Sequence, residues 1–462
     1  MIRVFNVYFP ARTVFLGVSE WVVVFLAFTT ALIARAGRDA DLVLADEHGV
    51  YKIALVAAVY MLCMYYLDLY DAKILSNRHE VLTRILQVLG LGTLILAIVY
   101  YSFPGAQLGR GTFLLGLLFA LPCLILWREA FPRLVRSLHM AERSFIIGDS
   151  SLAIALCREI RTRLEFGLDL AGCIAVSDRE SAIGGMPWIG TVEELPELMK
   201  RFRVTRVILA MADRRGKLPL AELLSFKARG GIVQDGADLY ESMTGKLQLE
   251  SLRPGWLLFS PGFRTSRALL FYKRTTSFMI SLAALTISLP LLILVAIAIR
   301  VESKGPVIFR QQRVGKDGKL FYLFKFRTMV EGADADGKSR PADDDDERCT
   351  RLGSWLRRTR LDEFPQLYNI LRGDMDLVGP RPFVPDQEEE CARNIPFYEQ
   401  RWMIKPGATG WAQVNYGYCA SLADNLHKTA YDLYYLKHMS VGLDLLIIFQ
   451  TIKTLLLGRG GR

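Results

Sequence analysis

The sequence has few of the residues that build transition-metal sites. Its five histidines have no spacing suited to a metal cluster, and its seven cysteines are scattered, with no Cys-x-x-Cys pair. These absences argue against a zinc site and against a disulfide framework. The chemistry of this chain is therefore expected to rest on carboxylates and arginines.

The sequence also lacks a run of basic residues interleaved with aromatics, which argues against binding to nucleic acid. The chain is nevertheless basic and apolar, with a net charge of +10, 52% hydrophobic residues and a mean hydropathy of +0.24. This combination favours a bacterial membrane protein with basic cytosolic flanks. Its 462 residues are enough for several domains.

Four apolar stretches lie in the predicted N-terminal domain, residues 1–137. They cover about 13–34, 50–67, 83–103 and 111–127, and each is near the length that spans a bilayer as a helix. The first connecting loop is acidic, whereas the second loop and the segment after the fourth stretch are basic. The positive-inside rule therefore predicts a four-helix transmembrane bundle with both ends on the cytosolic side. Glu20, inside the first stretch, is interpreted as a helix-packing or interfacial residue.

A fifth apolar segment covers residues 277–299, and basic residues flank both of its ends: Lys273, Arg274, Arg300 and Lys304. Both ends are therefore expected on the cytosolic side. The half before Pro290 has about 13 residues, or roughly 20 Å of helix, which is too short for a hydrocarbon core of about 30 Å. We predict a re-entrant helix that breaks near Ser288 and Pro290. A proline-kinked spanning helix is the alternative.

Between these membrane segments, residues 141–265 alternate strand-like and helix-like runs. This alternation predicts an α/β Rossmann-like cytosolic domain with a parallel sheet. The sequence Gly148-Asp149-Ser150-Ser151 takes the place of a dinucleotide fingerprint but lacks its second glycine. We therefore predict a degenerate domain with a regulatory or scaffolding role.

Two adjacent carboxylates, Asp362 and Glu363, come just before Pro365 and an apolar run that ends near Gly373. Proline suits a first helical turn and glycine a helix exit, so the pair is expected at the N-terminus of a short helix. The partial positive charge there favours anions. This setting would keep an aspartate ionised and nucleophilic, and it predicts phosphoryl chemistry at a lipid surface.

Cations surround this pair in the sequence. Lys325 and Arg327 share one face of a predicted strand by period two. Such a pair can clamp a pyrophosphate, but taken alone it is more often a solvated strand face. The stiff loop 379–382 holds Arg381. The acidic run 343–347 is interpreted as an exposed loop.

Taken together, these blocks resemble the monotopic phosphoglycosyl transferases, also called bacterial sugar transferases or polyprenyl-phosphate hexose-1-phosphate transferases. The chain resembles the large, exopolysaccharide-associated form of the family, and the acidic run 343–347 departs from its pattern. The motifs that carry the resemblance are Arg-Gln-x-Arg-x-Gly (310–315), Lys-Phe-Arg-Thr-Met (325–329), Thr-Arg-x-Gly (350–353), Arg-x-Arg-Leu-Asp-Glu-x-Pro-Gln-Leu (358–367), Leu-Val-Gly-Pro-Arg-Pro (377–382) and Lys-Pro-Gly-Ala-Thr-Gly-Trp-Ala-Gln-Val (405–414).

The resemblance implies that residues 266–462 form a mixed α+β catalytic domain on the cytosolic face of the inner membrane. Asp362 would attack a UDP-sugar, release UMP and pass the phosphosugar to a polyprenyl phosphate such as undecaprenyl phosphate. Glu363 would complete the catalytic dyad, and both carboxylates would bind the cofactor Mg²⁺. The residues expected to bind substrate are Arg310, Arg313, Lys325, Arg327, Arg351, Arg381 and Arg401.

Two other functions make different demands on the sequence. A non-catalytic scaffold of polysaccharide assembly would need no carboxylate chemistry. A membrane-anchored nucleotide-sugar dehydratase would need an intact glycine fingerprint and a Tyr-x-x-x-Lys pair, and the middle domain has neither. We also expect a homodimer. The C-terminal segment, 441–457, is expected either to lie along the membrane interface or to pack against the catalytic domain.

Overall fold

The computed structural model describes residues 2–4, 7–45, 48–71, 74, 78–137, 142–175, 188–211, 218–252, 260, 262–263, 266–330, 348–417 and 421–457. The acidic run 343–347, predicted as an exposed loop, lies outside these residues. The chain forms two compact units. Most of the first is made of Tyr8–Asp149 and Ala153–Gln234, and most of the second of Asp235–Arg462.

Two short strands precede the long apolar helices of the first unit. In the described part of the chain, five helices are long and apolar enough to cross a membrane, and four of them begin before residue 111. The four predicted stretches are thus confirmed as helices. The elements are β1 (Ile2–Val4), β2 (Val7–Phe9), α1 (Ala11–Ala36), α2 (Ala40–Ala45), α3 (Gly49–Tyr66), α4 (Arg78–Ser102) and α5 (Arg110–Ser137).

Close helix packing and a buried ion pair hold these helices together. A Cβ atom at Gly92 of α4 would lie 2.4 Å from the Tyr60 ring of α3, so only glycine permits this approach. Glu20 of α1 is fully buried and accepts a hydrogen bond of 2.5 Å from Nε of Arg128 in α5. The helix-packing interpretation of Glu20 is therefore confirmed.

The rest of the first unit is a five-stranded sheet with the order β5-β4-β3-β6-β7. β3 pairs in parallel with both β4 and β6, and β4 with β5, so the predicted α/β architecture is confirmed. The elements are β3 (Glu142–Ile147), α6 (Ser151–Thr162), β4 (Leu168–Ala175), β5 (Trp188–Thr191), α7 (Leu195–Arg201), β6 (Arg206–Leu209), α8 (Leu220–Ala228) and β7 (Ile232–Asp235).

The second unit mixes helices with short strands, as predicted for the catalytic domain. β8 and β9 form an antiparallel hairpin, and β10 pairs in parallel with β11. The elements are α9 (Gly236–Thr244), α10 (Arg267–Glu302), β8 (Ile308–Val314), β9 (Leu320–Phe326), α11 (Arg351–Arg358), α12 (Gln366–Arg372), β10 (Asp376–Val378), α13 (Pro385–Asn394), β11 (Gly407–Thr409), α14 (Trp411–Asn415), α15 (Leu422–His438) and α16 (Val441–Leu456).

The main segment of the second unit starts at Asp235, whereas the sequence predicted that residues up to 265 belong with the sheet-containing domain. The difference arises because α9 packs against the catalytic part of the chain. Lys437 Nζ lies 2.6 Å from a Glu241 carboxylate oxygen, and Trp411 Nε1 donates a 2.7 Å hydrogen bond to the Gly245 carbonyl. Residues after the sheet therefore belong structurally with the catalytic unit.

The apolar helix α10 is continuous. Every residue from Arg267 to Glu302 is helical, including Ser288 and Pro290, so the predicted break does not interrupt the helix. The Ser288 hydroxyl donates a hydrogen bond of 2.7 Å to the Ala284 carbonyl one turn earlier. Any re-entry of this segment must therefore occur by bending of a continuous helix.

The C-terminal helix α16 packs against the second unit on one side only. Leu443 and Ile447 are fully buried, whereas Leu445 and Leu455 are about half exposed. Of the two arrangements expected for this segment, the structure thus has the packed one. It also leaves an apolar face uncovered.

Candidate active site

The two candidate catalytic carboxylates lie in a 3-10 turn, Leu361–Glu363, directly before the short helix α12. Arg360, at the start of the turn, has a left-handed backbone (φ 58°), which reverses the chain after α11. Gly373 ends α12 with φ 97°, a conformation that glycine adopts without strain. The predicted position of Asp362 and Glu363 before a short, glycine-terminated helix is confirmed.

Cations from separate parts of the chain surround Glu363. Its carboxylate lies 3.1 Å from Lys325 Nζ, 3.2 Å from an Arg381 nitrogen and 3.6 Å from an Arg360 nitrogen. Burial by itself would raise the pKa of Glu363, but Lys325, Arg381 and Arg360 outweigh it and hold the pKa well below its usual range. Glu363 is therefore a firmly ionised group that holds a positive cluster in place.

Asp362 has the opposite environment. Its side chain is buried (8% exposed), and no described residue forms a hydrogen bond or an ion pair with its carboxylate. Burial raises the pKa of Asp362 and the adjacent Glu363 adds to the rise, while Lys325 opposes it. Adjacent carboxylates with pKa values pushed in opposite directions are suited to different tasks. Asp362 has the more basic oxygens, and these are not engaged by described protein groups.

Lys325 and Arg327 do not converge on one acceptor, contrary to the interpretation as a pyrophosphate clamp. Lys325 reaches Glu363, whereas Arg327 donates hydrogen bonds of 2.8 and 2.7 Å to the carbonyl and hydroxyl oxygens of Ser303. The Arg327 side chain is buried, and its Nε and one terminal nitrogen have no partner among the described residues. Arg327 therefore ties the strand β9 to the end of α10.

Two of the predicted substrate-binding arginines hold the backbone of the Arg381 loop instead. Arg401 is only 4% exposed, pairs with Asp432 at 2.8 Å and donates to the Arg381 carbonyl at 3.0 Å. Arg313 donates to the Pro382 carbonyl at 3.1 Å. Both side chains thus position the loop, and the substrate-binding role predicted for Arg401 does not fit its burial.

Two other predicted residues lie at the surface. The Arg310 guanidinium lies 5.6 Å from the centre of the Phe324 ring, and Arg351 is exposed at the first position of α11. Neither forms an ion pair with Glu363 among the described residues. They are accessible to a ligand but do not belong to the charged cluster around the acid pair.

The prediction missed Asn369, a fully buried residue of α12. Its side-chain oxygen accepts a 3.0 Å hydrogen bond from the Phe324 amide, and its nitrogen donates one of 2.7 Å to the Tyr322 carbonyl. These bonds fix β9 against α12 and so place Lys325 beside Glu363. The available signal was an asparagine in the middle of the helix, between the apolar pairs Leu367-Tyr368 and Ile370-Leu371.

Whether these residues fit a magnesium ion can be tested against their chemistry. Among the described residues, no group of three or more His, Cys, Asp or Glu side chains could hold a metal ion. Mg²⁺, however, is commonly held by one or two carboxylates together with water and substrate phosphates. Asp362 and Glu363 fit a site of that kind, in which a diphosphate supplies the further oxygen ligands.

Two family models match the chain. A model described as bacterial sugar transferase matches residues 268–458, and one described as CoA-binding domain matches residues 66–217. The first match covers the acid pair and every residue of the charged cluster around Glu363. The second covers part of the membrane helices and most of the parallel sheet.

Relatives of known type resemble the chain. The UDP-N-acetylgalactosamine-undecaprenyl-phosphate N-acetylgalactosaminephosphotransferase of Aeromonas hydrophila is 41% identical over 225 residues, 48% of this chain and 52% of the relative. The undecaprenyl-phosphate glucose phosphotransferase of Komagataeibacter xylinus is 33% identical over 356 residues, 74% and 64% of the two chains. The chain thus spans between about half and two thirds of these two relatives. The exopolysaccharide production protein PSS of Rhizobium leguminosarum bv. phaseoli is 39% identical over 192 residues, 40% of this chain and 94% of the relative.

Proposed function

This chain belongs to the bacterial sugar transferase family, and we propose that it transfers a hexose-1-phosphate from a UDP-sugar to a polyprenyl phosphate such as undecaprenyl phosphate. The relatives named above include transferases that act, by their names, on undecaprenyl phosphate. The observation that carries the proposal is the unequal pair of carboxylates. Glu363 is neutralised by cations, while Asp362 is buried and unpartnered among the described residues.

The first step is an attack by an Asp362 carboxylate oxygen on the β-phosphorus of the UDP-sugar. An oxygen–phosphorus bond forms, the bond from the β-phosphorus to the bridging oxygen breaks, and UMP leaves with that electron pair. The phosphosugar remains on Asp362 as an acyl phosphate. A covalent intermediate of this kind divides one difficult displacement into two easier ones.

In the second step, a phosphate oxygen of the polyprenyl phosphate attacks the same phosphorus. The bond between phosphorus and Asp362 breaks, the carboxylate is restored, and a polyprenyl-diphosphate sugar is released. No oxidant or reductant is needed. The product of such a reaction would start a glycan chain on a lipid, which agrees with a role in exopolysaccharide synthesis.

The protein's own cations would stabilise the charge that develops in both steps. Lys325, Arg360 and Arg381 lie beside the acid pair, and arginine binds phosphate oxygens bidentately. Glu363 would keep these cations in place between turnovers. Mg²⁺ held by Asp362, Glu363 and the diphosphate would supply further charge neutralisation for the leaving UMP.

We also propose that α10 enters and leaves the bilayer on the cytosolic side, so that the catalytic unit lies at the inner face of the inner membrane. Lys273, near one end of α10, donates a 2.6 Å hydrogen bond to Val378, and Arg327 donates to Ser303 just beyond the other end. Both ends thus contact one folded unit, while the middle of the helix exposes apolar residues such as Ile287 and Leu294. A straight helix of 36 residues would be about 54 Å long and would separate its ends by more than the hydrocarbon core.

The test of the proposed function is release of UMP by the purified chain in lipid with polyprenyl phosphate and a panel of UDP-sugars. Asp362→Asn should reduce release by at least a thousandfold, because an amide is not a comparable nucleophile. The matched control is Asp149→Asn in the sheet-containing domain, which should retain most of the activity.

A second readout separates this reaction from direct transfer. Incubation with donor labelled in the sugar, without acceptor, should leave one labelled phosphosugar on the wild-type chain and none on Asp362→Asn. Turnover without any labelled protein would contradict the covalent step. If polymer production in cells is unchanged by Asp362→Asn, a non-catalytic scaffold function is correct instead.

A further inference from the structure

Lys273 of α10 is a buried cation whose hydrogen-bonding capacity is fully used. Its Nζ lies 2.6 Å from the Val378 carbonyl, 2.5 Å from the Tyr435 hydroxyl and 3.2 Å from an Asp444 carboxylate oxygen, and the side chain is almost fully buried. An ammonium group has three N–H donors, and each has an acceptor here. Lys273 is therefore not arranged to bind a substrate phosphate.

The charge on Lys273 is balanced inside the unit. Asp444 also accepts a 2.5 Å hydrogen bond from the Tyr435 hydroxyl, so the three side chains form a closed network. They come from the membrane helix α10, from α15 and from α16. A buried charge pair is costly to break, because the remaining partner is left without a counter-ion. The network therefore holds three helices at one point.

The same face of α10 holds the strand that leads to the active-site loop. Ser277, one turn after Lys273, accepts a 3.0 Å hydrogen bond from the Leu377 amide, and Lys273 binds the next carbonyl, that of Val378. Arg381 follows three residues later, with its guanidinium on Glu363. A displacement of α10 would thus be passed along a very short stretch of backbone to the charged cluster.

We propose that Lys273 is a positioning residue through which the apolar helix α10 sets the place of Arg381 beside Glu363. Any effect of this residue on turnover rests on the proposed function, because Arg381 acts there in phosphoryl transfer. Its effect on the position of the loop does not. The two effects can be measured separately.

The first measurement is amide hydrogen exchange in lipid nanodiscs. Lys273→Met keeps most of the unbranched side chain but removes its terminal charge and its donors. We expect exchange of the Gly379 amide, which bonds to the Thr409 carbonyl at 2.8 Å, to become roughly tenfold faster, with strands β8 and β9 unchanged. The matched control is Arg267→Met, an exposed cation on the same helix, which should leave the exchange of Gly379 unaltered.

The second measurement is a double-mutant cycle in UMP release. Lys273→Met should lower kcat by roughly tenfold or more in the wild-type background, but by less than about threefold when Arg381 is already Met. KM for the UDP-sugar should change less than kcat. Tyr435→Phe, which removes one acceptor but leaves the Lys273–Asp444 ion pair, should give a smaller loss of the same kind, and it serves if Lys273→Met does not fold.

Several results would overturn the proposal. One is unchanged exchange at Gly379 in Lys273→Met, and another is a uniform increase throughout the second unit, which would indicate general destabilisation. A loss of kcat in the double variant equal to the product of the losses in Lys273→Met and Arg381→Met would also overturn it. If the wild-type chain releases no UMP from any donor, the proposed function fails, and the exchange experiment alone decides the role of Lys273.

Discussion

At the scale of single residues, the site depends on how charge is distributed over neighbouring carboxylates. Asp362 and Glu363 are adjacent in sequence, yet the described cations Lys325, Arg381 and Arg360 all contact Glu363. Burial therefore dominates at Asp362 and raises its pKa, while the cations lower that of Glu363. A nucleophile needs a basic, accessible oxygen, and a group that organises cations needs a permanent charge.

A further carboxylate, Asp376, shows the cost of burial without compensation. It lies on β10, is 6% exposed, and one of its oxygens is buried with no hydrogen-bond partner among the described residues. Burial raises the pKa of Asp376, and the lowering effect of Lys273, Lys405 and Arg274 does not cancel it. The folded protein therefore binds a proton at Asp376 more tightly than the unfolded chain does.

This pKa shift predicts a pH-dependent effect of Asp376→Asn. A raised pKa in the folded state means that protonated Asp376 stabilises the fold. This stabilisation is fully present below the unfolded pKa, about 3.9, and is lost as pH rises through the folded pKa. The neutral amide removes that loss, so Asp376→Asn should raise Tm at pH 7. Tm of both chains should converge below about pH 4. Destabilisation at pH 7, or an equal difference at every pH, would contradict the prediction.

At the scale of elements, the hairpin strand β9 and the helix α12 bring the site together. β9 carries Lys325, α12 follows the acid pair, and Asn369 joins the two elements through the backbone of Phe324 and Tyr322. The site is thus held by hydrogen bonds to backbone groups, which do not depend on the identity of the side chains on β9. A change at Asn369 should act on the whole contact between strand and helix.

We predict that Asn369→Leu destabilises the second unit by about 2 kcal/mol or more, because it leaves the Phe324 amide and the Tyr322 carbonyl without their partner. Activity should fall as well, since Lys325 loses its fixed place. The matched control is Asn394→Leu on the exposed end of α13, where the side chain donates a hydrogen bond to the Glu390 carbonyl and has no other partner among the described residues. That change should cost less than about 0.5 kcal/mol. Equal losses in thermal unfolding of the two variants would contradict the role given to Asn369.

At the scale of the whole molecule, the membrane helices and the catalytic unit must fit a single membrane topology. The basic loops predict cytosolic ends for the first four helices, and the contacts of both ends of α10 with the second unit favour both ends lying on one side of the membrane. The exposed apolar residues of α16 would lie along the same membrane surface. On the proposed topology, the acid pair would lie where a lipid phosphate and a soluble UDP-sugar meet.

The topology can be measured with a membrane-impermeant thiol reagent, on a chain whose native cysteines have been replaced. Lys304→Cys, just after α10, should react in inverted membrane vesicles but not in spheroplasts. The matched control is Asp39→Cys in the exposed first loop, which should show the opposite pattern. Labelling of both positions from the same side would mean that α10 spans the bilayer.

Much of this protein could be predicted from its sequence, since the signals concerned are local or periodic. Apolar runs of membrane length predicted the first four helices, strand–helix alternation predicted the parallel sheet, and Pro365 and Gly373 predicted the short helix after the acid pair. Each of these features depends on residues close together in the chain. Backbone hydrogen bonding and burial of apolar side chains then leave few alternatives.

Other properties were decided only by the tertiary structure. Lys325 rather than Arg327 pairs with Glu363. Arg401, which was predicted to bind substrate, is buried behind the Arg381 loop. Lys273 contacts Val378, 105 residues further along the chain. Such pairings depend on which elements pack together, and packing is set by the total burial of apolar surface and the neutralisation of buried charge. No local pattern in the sequence contains that information, so a cation's partner became known only when the fold brought distant residues together.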